Sequence, residues 1–136
     1  MSNRYPNGAR MRRCRFLPVS VYVFSAPNGL QKIGISNDPE LRLMAFDDID
    51  GKPVLLTAEY TRPRWEMADA RVVERAAHTL VGNHRFAGEW FKVTPEEAAS
   101  AVERALEMWD RGEIKRPDPG WSRGGSAWEM VKGYAP

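Results

Sequence analysis

Five side chains in this sequence are of types that can hold a phosphate or move a proton: Tyr22, Lys32, Arg42, Glu74 and His78. Arg42 offers a planar fork of donors that matches the oxygens of a phosphate or a carboxylate. Lys32, while charged, is a point cation for an anion. It acts as a base only if its pKa falls well below the reference value of ~10.4. His78 can take up or release a proton near neutral pH. It stands four residues after Glu74, so on a helix the two share a face. Singly, each residue also fits a plain structural role. Tyr22 suits a half-buried strand position and Lys32 a solvent-facing one. Arg42, Glu74 and the Glu74–His78 pair suit a charged surface. A carboxylate and an imidazole without a third ligand rarely define a metal site.

The stretch Val19 to Arg42 positions three of the five. Val19 to Ala26 alternates β-branched and aromatic residues and reads as a strand. Pro27-Asn28-Gly29 is a turn signal, because Pro pre-sets φ and Asn-Gly tolerates positive φ. Leu30 to Ser36 makes the second strand of a hairpin. Asn37-Asp38-Pro39-Glu40 then reads as an N-cap followed by Pro in the first turn of a helix over 38–48. Leu41, Leu43, Met44 and Phe46 are available there for burial. Acids at 47, 48 and 50 and then Gly51 end it. Tyr22, Lys32, Gly34 and Arg42 thereby approach one small surface.

Residues 53–61 read as a third strand. From Trp65 to Val81 the period becomes helical. Ala68, Val72, Ala76 and Leu80, with Val73 and Ala77 alongside, form the expected apolar stripe. Arg71, Glu74, Arg75 and His78 fall on or beside the other face. Residues 88–93 read as a short strand or extended segment. Thr94-Pro95-Glu96-Glu97 opens another helix, with Thr94 and Glu97 at capping-box positions. Its apolar face is Ala98, Ala101, Val102, Ala105, Leu106 and Trp109, and it ends near Gly112. The expected fold class is α+β, with a small, mainly antiparallel three-stranded sheet flanked by helices.

A chain of 136 residues, 43% hydrophobic and 28% charged, has the balance of one globular domain. The expected division is a basic arm over 1–17, a body over 18–112 and a Trp-, Gly- and Pro-containing tail over 113–136. No run of about 18 apolar residues argues for a membrane span. The basic N-terminus lacks the apolar segment of a secretory signal. The single Cys14 excludes an internal disulfide and a Cys-based zinc site, and a cytoplasmic setting is expected. The net charge of +2 is unevenly spread. Arg4, Arg10, Arg12, Arg13 and Arg15 lie in the first 16 residues with no acid among them. Such an arm suits contact with a phosphate backbone, and equally suits a solvated terminus.

Taken in order, these motifs resemble the GIY-YIG nuclease superfamily. Ser20-Val21-Tyr22-Val23-Phe24 falls on its first motif and Ile33-Gly34 on the end of its second. Arg42, eight residues after Gly34, falls on its helix-borne Arg, and Glu74 on its metal-binding Glu. A branch common in phages and bacteria is more similar still. It carries a KIG second motif, here Lys32-Ile33-Gly34, and Asp38-Pro39-Glu40-Leu41-Arg42. It also carries an E-x-x-x-H helix, here Glu74 to His78, and a GEWF segment, here Gly88-Glu89-Trp90-Phe91. The resemblance spans roughly residues 19–107.

The resemblance implies metal-dependent hydrolysis of phosphodiester bonds in DNA (or RNA), in a bacterial cell or phage-infected host. Glu74 would hold Mg²⁺ or Mn²⁺, which keeps most of its waters and needs few protein ligands. Arg42 would hold phosphate oxygens, and Tyr22 would position the attacking water. Where the family has a second Tyr, this chain has Lys32, assigned here to phosphate contact. His78 would orient metal-bound water or act as a general acid or base. Glu89 is the polar residue nearest the family's late Asn. The alternative is the same fold as a catalytically degenerate module that binds nucleic acid or a protein.

If Arg10, Arg12, Arg13 and Arg15 contact phosphates, deleting residues 1–15 weakens DNA binding. It also flattens the salt dependence, by about 0.9 in the log–log slope for each phosphate that the arm had neutralised. An unchanged slope in fluorescence anisotropy titrations refutes that role.

Overall fold

Strand β1, Ser20–Ser25, runs antiparallel to β2, Gln31–Ser36. The connection is tight: Ala26 N–H donates to Leu30 O, and Gly29 takes φ 91°. This is the hairpin expected from Pro27-Asn28-Gly29. The computed structural model describes residues 18–117. The basic arm and the tail beyond 117, with Arg10, Arg12, Arg13 and Arg15, lie outside the described residues.

The sheet has five strands, in the order β3-β1-β2-β5-β4, and every neighbouring pair is antiparallel. β3 is Leu55–Thr61, β4 is Arg85–Ala87 and β5 is Trp90–Phe91. The class is α+β as expected, but three strands is too few. β5 falls inside the segment 88–93 read as a short strand or extended, whereas β4, three residues long, is too short to show an alternation that a sequence reading can register.

Three α-helices among the described residues accompany the sheet. α1 covers Pro39–Leu43, α2 Met67–Leu80 and α3 Pro95–Asp110. α1 is less than half of the expected helix. Asp38 caps it, its Oδ1 accepting from Leu41 N–H at 3.2 Å, but the chain leaves the helix after Leu43. Only Leu43 and Phe46 of its four apolar candidates pack inward; Leu41 and Met44 are exposed. α3 forms as its sequence specifies. Glu97 N–H donates to Thr94 Oγ1 at 3.0 Å, and Thr94 N–H donates to Glu97 Oε1 at 2.8 Å. Its buried face is Ala98, Ala101, Val102, Ala105 and Leu106, and Trp109 meets Trp65 edge-on at 5.6 Å.

The buried face of α2 is only partly the expected stripe: Val73 and Ala77 are buried and Ala76 packs on the core. Ala70, Val73, Glu74 and Ala77 turn inward, while Ala68 and Leu80 are exposed. Glu74 is therefore a buried residue rather than a surface charge, only 5% exposed. The described body also runs past Gly112. Ile114 packs on the core, and Arg116 pairs with Glu66 and Asp69.

β1 is buried on both faces, and this accounts for its continuous apolar sequence. Val21, Val23 and Ile33 join the core under α2 and α3. Tyr22 and Phe24 join a second cluster with Val54, packed by Leu43, Phe46 and Trp90. The Tyr22 and Phe24 rings stack with centroids 4.0 Å apart. Gly34, opposite Tyr22 in the β1–β2 register, leaves room for the ring. A Cβ at that position would lie 2.6 Å from Tyr22 Cζ. Gly34 is required by this cross-strand approach, since its φ is not in the left-handed region.

Gly34→Ala should therefore destabilise the fold by about 1–3 kcal/mol through overpacking. Urea melts check this. In the Tyr22→Phe background the cost should shrink, because the hydroxyl end of the ring is gone.

Candidate active site

Beyond Lys32, strand β2 loses its partner. β5 pairs only with Gln31 and Lys32, apart from one further bond from Ile33 N–H to Glu89 O at 3.2 Å. Along this open edge, side chains from both faces of the sheet meet around a polar cavity of about 320 Å³. Tyr22 and Lys32 come from β1 and β2, Arg42 from α1, Arg71 and Glu74 from α2, and Glu89 from the β4–β5 turn. Four of the five residues singled out in the sequence are thus brought together. Each is placed by a simple local rule. Tyr22 and Lys32 lie on one face of adjacent strands, as their register requires. Arg42 follows from the Asp38 cap. Met67, Arg71 and Glu74 recur at i, i+4 and i+7, one stripe of α2.

Lys32 is 7% exposed, and its ammonium donates to Glu89 Oε1. It also lies 5.8 Å from the centroid of the Tyr22 ring. Its charge is thus engaged inside the protein, and it does not face solvent. Glu89 also stands near enough to Glu74 for the two charges to act on each other. The two carboxyls respond in opposite directions. Burial, then the charge of Glu89, pushes the Glu74 pKa up to about 7, against the pull of Arg71 and Lys32. Burial would also raise Glu89, but the hydrogen bond and charge of Lys32 outweigh it and hold Glu89 below the usual carboxylate range. Glu74 therefore holds its proton more readily than Glu89, which carries the negative charge.

Arg42 and Arg71 stand on the rim of this cavity, both exposed. Neither forms an ion pair with another described residue. They place two guanidinium groups beside a buried acidic pair. His78 is elsewhere. Its Nε2 is 2.8 Å from Ile33 O, to which the ring N–H donates, and the ring lies 5.1 Å from Phe91. Burial depresses its pKa despite that bond. It is not among the residues lining the cavity, and it fastens α2 to β2.

Sequence reasoning leaves two charged cavity residues, Arg71 and Glu89, outside the site. Arg71 had a signal: it is three residues before Glu74, hence on the same helix face. Glu89 had only its place in the Gly88-Glu89-Trp90-Phe91 segment. Its approach to Lys32, 57 residues away, is a tertiary fact. Among the described residues, no three His, Cys, Asp or Glu side chains lie close enough to form a metal cluster. No helix among them is long and apolar enough to cross a membrane.

One family of domains matches most of the body: the T5orf172 domain, over residues 20–106. The chain belongs to the T5orf172 domain family. This is a bacteriophage-associated domain related to nuclease-like folds. The matched span starts at the first residue of β1 and ends within α3, so it takes in every residue lining the acidic cavity. No curated protein and no solved structure matches the chain.

The sign of the Glu74 shift makes a stability prediction. Its folded pKa lies above its unfolded value, so the folded state holds an extra proton between about 4.5 and 7. Stability tied to that proton is complete below pH 4.5 and lost as pH rises through 7. In EDTA, Glu74→Gln should be more stable than wild type at pH 8, by on the order of 2–3 kcal/mol, and nearly equal to it at pH 5. Urea melts at the two pH values measure the difference; a gap that does not change with pH contradicts it.

Proposed function

We propose that this chain is a metal-dependent endonuclease that hydrolyses phosphodiester bonds in DNA. The observation that carries the reading is the convergence of Tyr22, Arg42, Arg71, Glu74 and Glu89 on one polar cavity at the open edge of β2. Membership of a phage-associated, nuclease-related domain family supports it. So does the GIY-YIG-like order of the motifs.

The donor set fits a hard divalent cation. Glu74 is a buried carboxyl whose ionisation is opposed by burial and by Glu89, so a cation in contact would relieve that opposition. Two carboxylates, with no third His, Cys, Asp or Glu beside them among the described residues, suit Mg²⁺ or Mn²⁺, which retain waters, better than zinc. Glu74 would hold the ion, with Glu89 beside it. When bound, such an ion offsets charge building on the phosphate and acidifies a coordinated water.

The remaining work falls to the chain's own side chains. Arg42 and Arg71 grip the non-bridging oxygens from the cavity rim, fixing the phosphorus for in-line attack. The Tyr22 hydroxyl, held in place by Phe24 and the Gly34 gap, orients the attacking water. Lys32 keeps Glu89 ionised and turned toward Glu74, so its charge reaches the phosphate only through that pair. His78 sets the distance of α2 from β2, and with it the position of Glu74.

The Lys32–Glu89 pair also favours a second reading, a module that binds DNA without cutting it, since an internal ammonium already neutralises one carboxylate. Relaxation of supercoiled plasmid in Mg²⁺ or Mn²⁺ separates the two. Wild type should cut, EDTA should abolish cutting, and Glu74→Ala and Arg42→Ala should each lose roughly 100-fold or more. No metal-dependent cutting selects the binding module. Full activity in Glu74→Ala removes Glu74 as the metal ligand.

A further inference from the structure

Phe86 is a large aromatic residue with 59% of its surface exposed. It lies in β4, on the outer edge of the sheet. The β4–β5 ladder pairs Arg85 with Phe91 and Ala87 with Trp90, which leaves Phe86 without an opposite number. Such a bulge turns a side chain out of the regular alternation, and bulges recur at sheet edges and beside active sites. Two cations stand beside it. Lys92 Nζ stands 5.7 Å from the ring centroid, and Arg85 precedes it in the chain, both exposed. Arg85 is committed to its own hairpin, donating to Gly88 O and lying 4.9 Å from the Phe91 ring, whereas Lys92 lies over Phe86 itself. The nearby acid, Glu89, is turned to Lys32.

We propose that Phe86, with Lys92, is a stacking platform for an unpaired nucleotide of the DNA substrate. An exposed ring offers a face to any base, and a neighbouring ammonium offers a contact for its phosphate. A protein partner would want apolar neighbours for Phe86; cations on this hairpin favour a polyanion instead. Spacing ties the platform to the cavity. Phe86 is three residues from Glu89, at most ~10 Å of chain. A nucleic-acid strand advances ~3.4 Å per phosphate, so a base on Phe86 would lie within about three nucleotides of a phosphate in the cavity. The substrate implied is a junction between duplex and single-stranded DNA, cut close to the junction. This inference rests on the proposed action on DNA.

The test is fluorescence anisotropy in EDTA, where nothing is cut, with one labelled duplex carrying a single-stranded flap and the same duplex blunt-ended. Wild type should prefer the flap. Phe86→Ala should bind the flap about tenfold more weakly and the blunt duplex unchanged. Phe86→Trp should keep the flap preference. Lys92→Ala should lower the salt slope for the flap by about 1. Equal losses on both DNAs, or none, overturn the platform. A change of sedimentation coefficient in Phe86→Ala without a change in flap binding also overturns it and makes Phe86 a contact between copies. The two proposals fail separately. A protein that cuts no DNA but prefers the flap through Phe86 loses only the nuclease reading. A protein that cuts DNA but is indifferent to Phe86 loses only the platform.

Discussion

An ammonium withdrawn from water must meet an anion, and in this protein that requirement organises the site. Lys32 lies on an inner strand with almost no solvent contact, and its anion arrives from the turn between the last two strands. The pairing draws Glu89 against Glu74, so the sheet, its final hairpin and α2 are joined through three side chains. Removing either partner of such a buried pair strands the other charge. The acidic cavity is thus a consequence of satisfying one lysine.

Much of the frame was legible because local chemistry decides it. The Pro27-Asn28-Gly29 turn, the Asp38 cap and the Thr94–Glu97 capping box form where residue types alone put them. Tyr22, Lys32, Arg42 and Glu74 also meet as their ordered spacing suggests. The features that are not legible depend on distant partners. The burial of Glu74 runs against hydrophobic pattern counting, which treats every carboxylate as outward; Arg71 and Lys32 offset part of the cost of its inward turn, and Glu89 adds to it. β4 is silent in the sequence because three residues with a bulge among them carry no period. The early end of α1 leaves Leu41 and Met44 in solvent, where apolar content argues for burial.

The open edge of β2 has a structural logic of its own. A full-length β5 would complete the ladder and close the space in which α2 side chains meet those of β1 and β2. Because pairing stops at Lys32, apart from the Ile33–Glu89 bond, the gap is bounded by Ile35 and Ser36 rather than by another strand. The cavity in this fold is made by omitting backbone pairing as much as by placing side chains.

A two-residue strand has few ladder bonds with which to resist local opening. The β1–β2 pair runs through six residue pairs, whereas β5 meets β2 at two. Amide hydrogen exchange follows the free energy of the smallest opening that exposes a given group. Glu89 therefore rides on a cooperative unit that can detach while Tyr22, Gly34 and Glu74 stay in the most protected part of the fold. Release of that hairpin would separate the two carboxyls and bare the Lys32 ammonium, so the charge of the cavity is coupled to the weakest joint in the sheet.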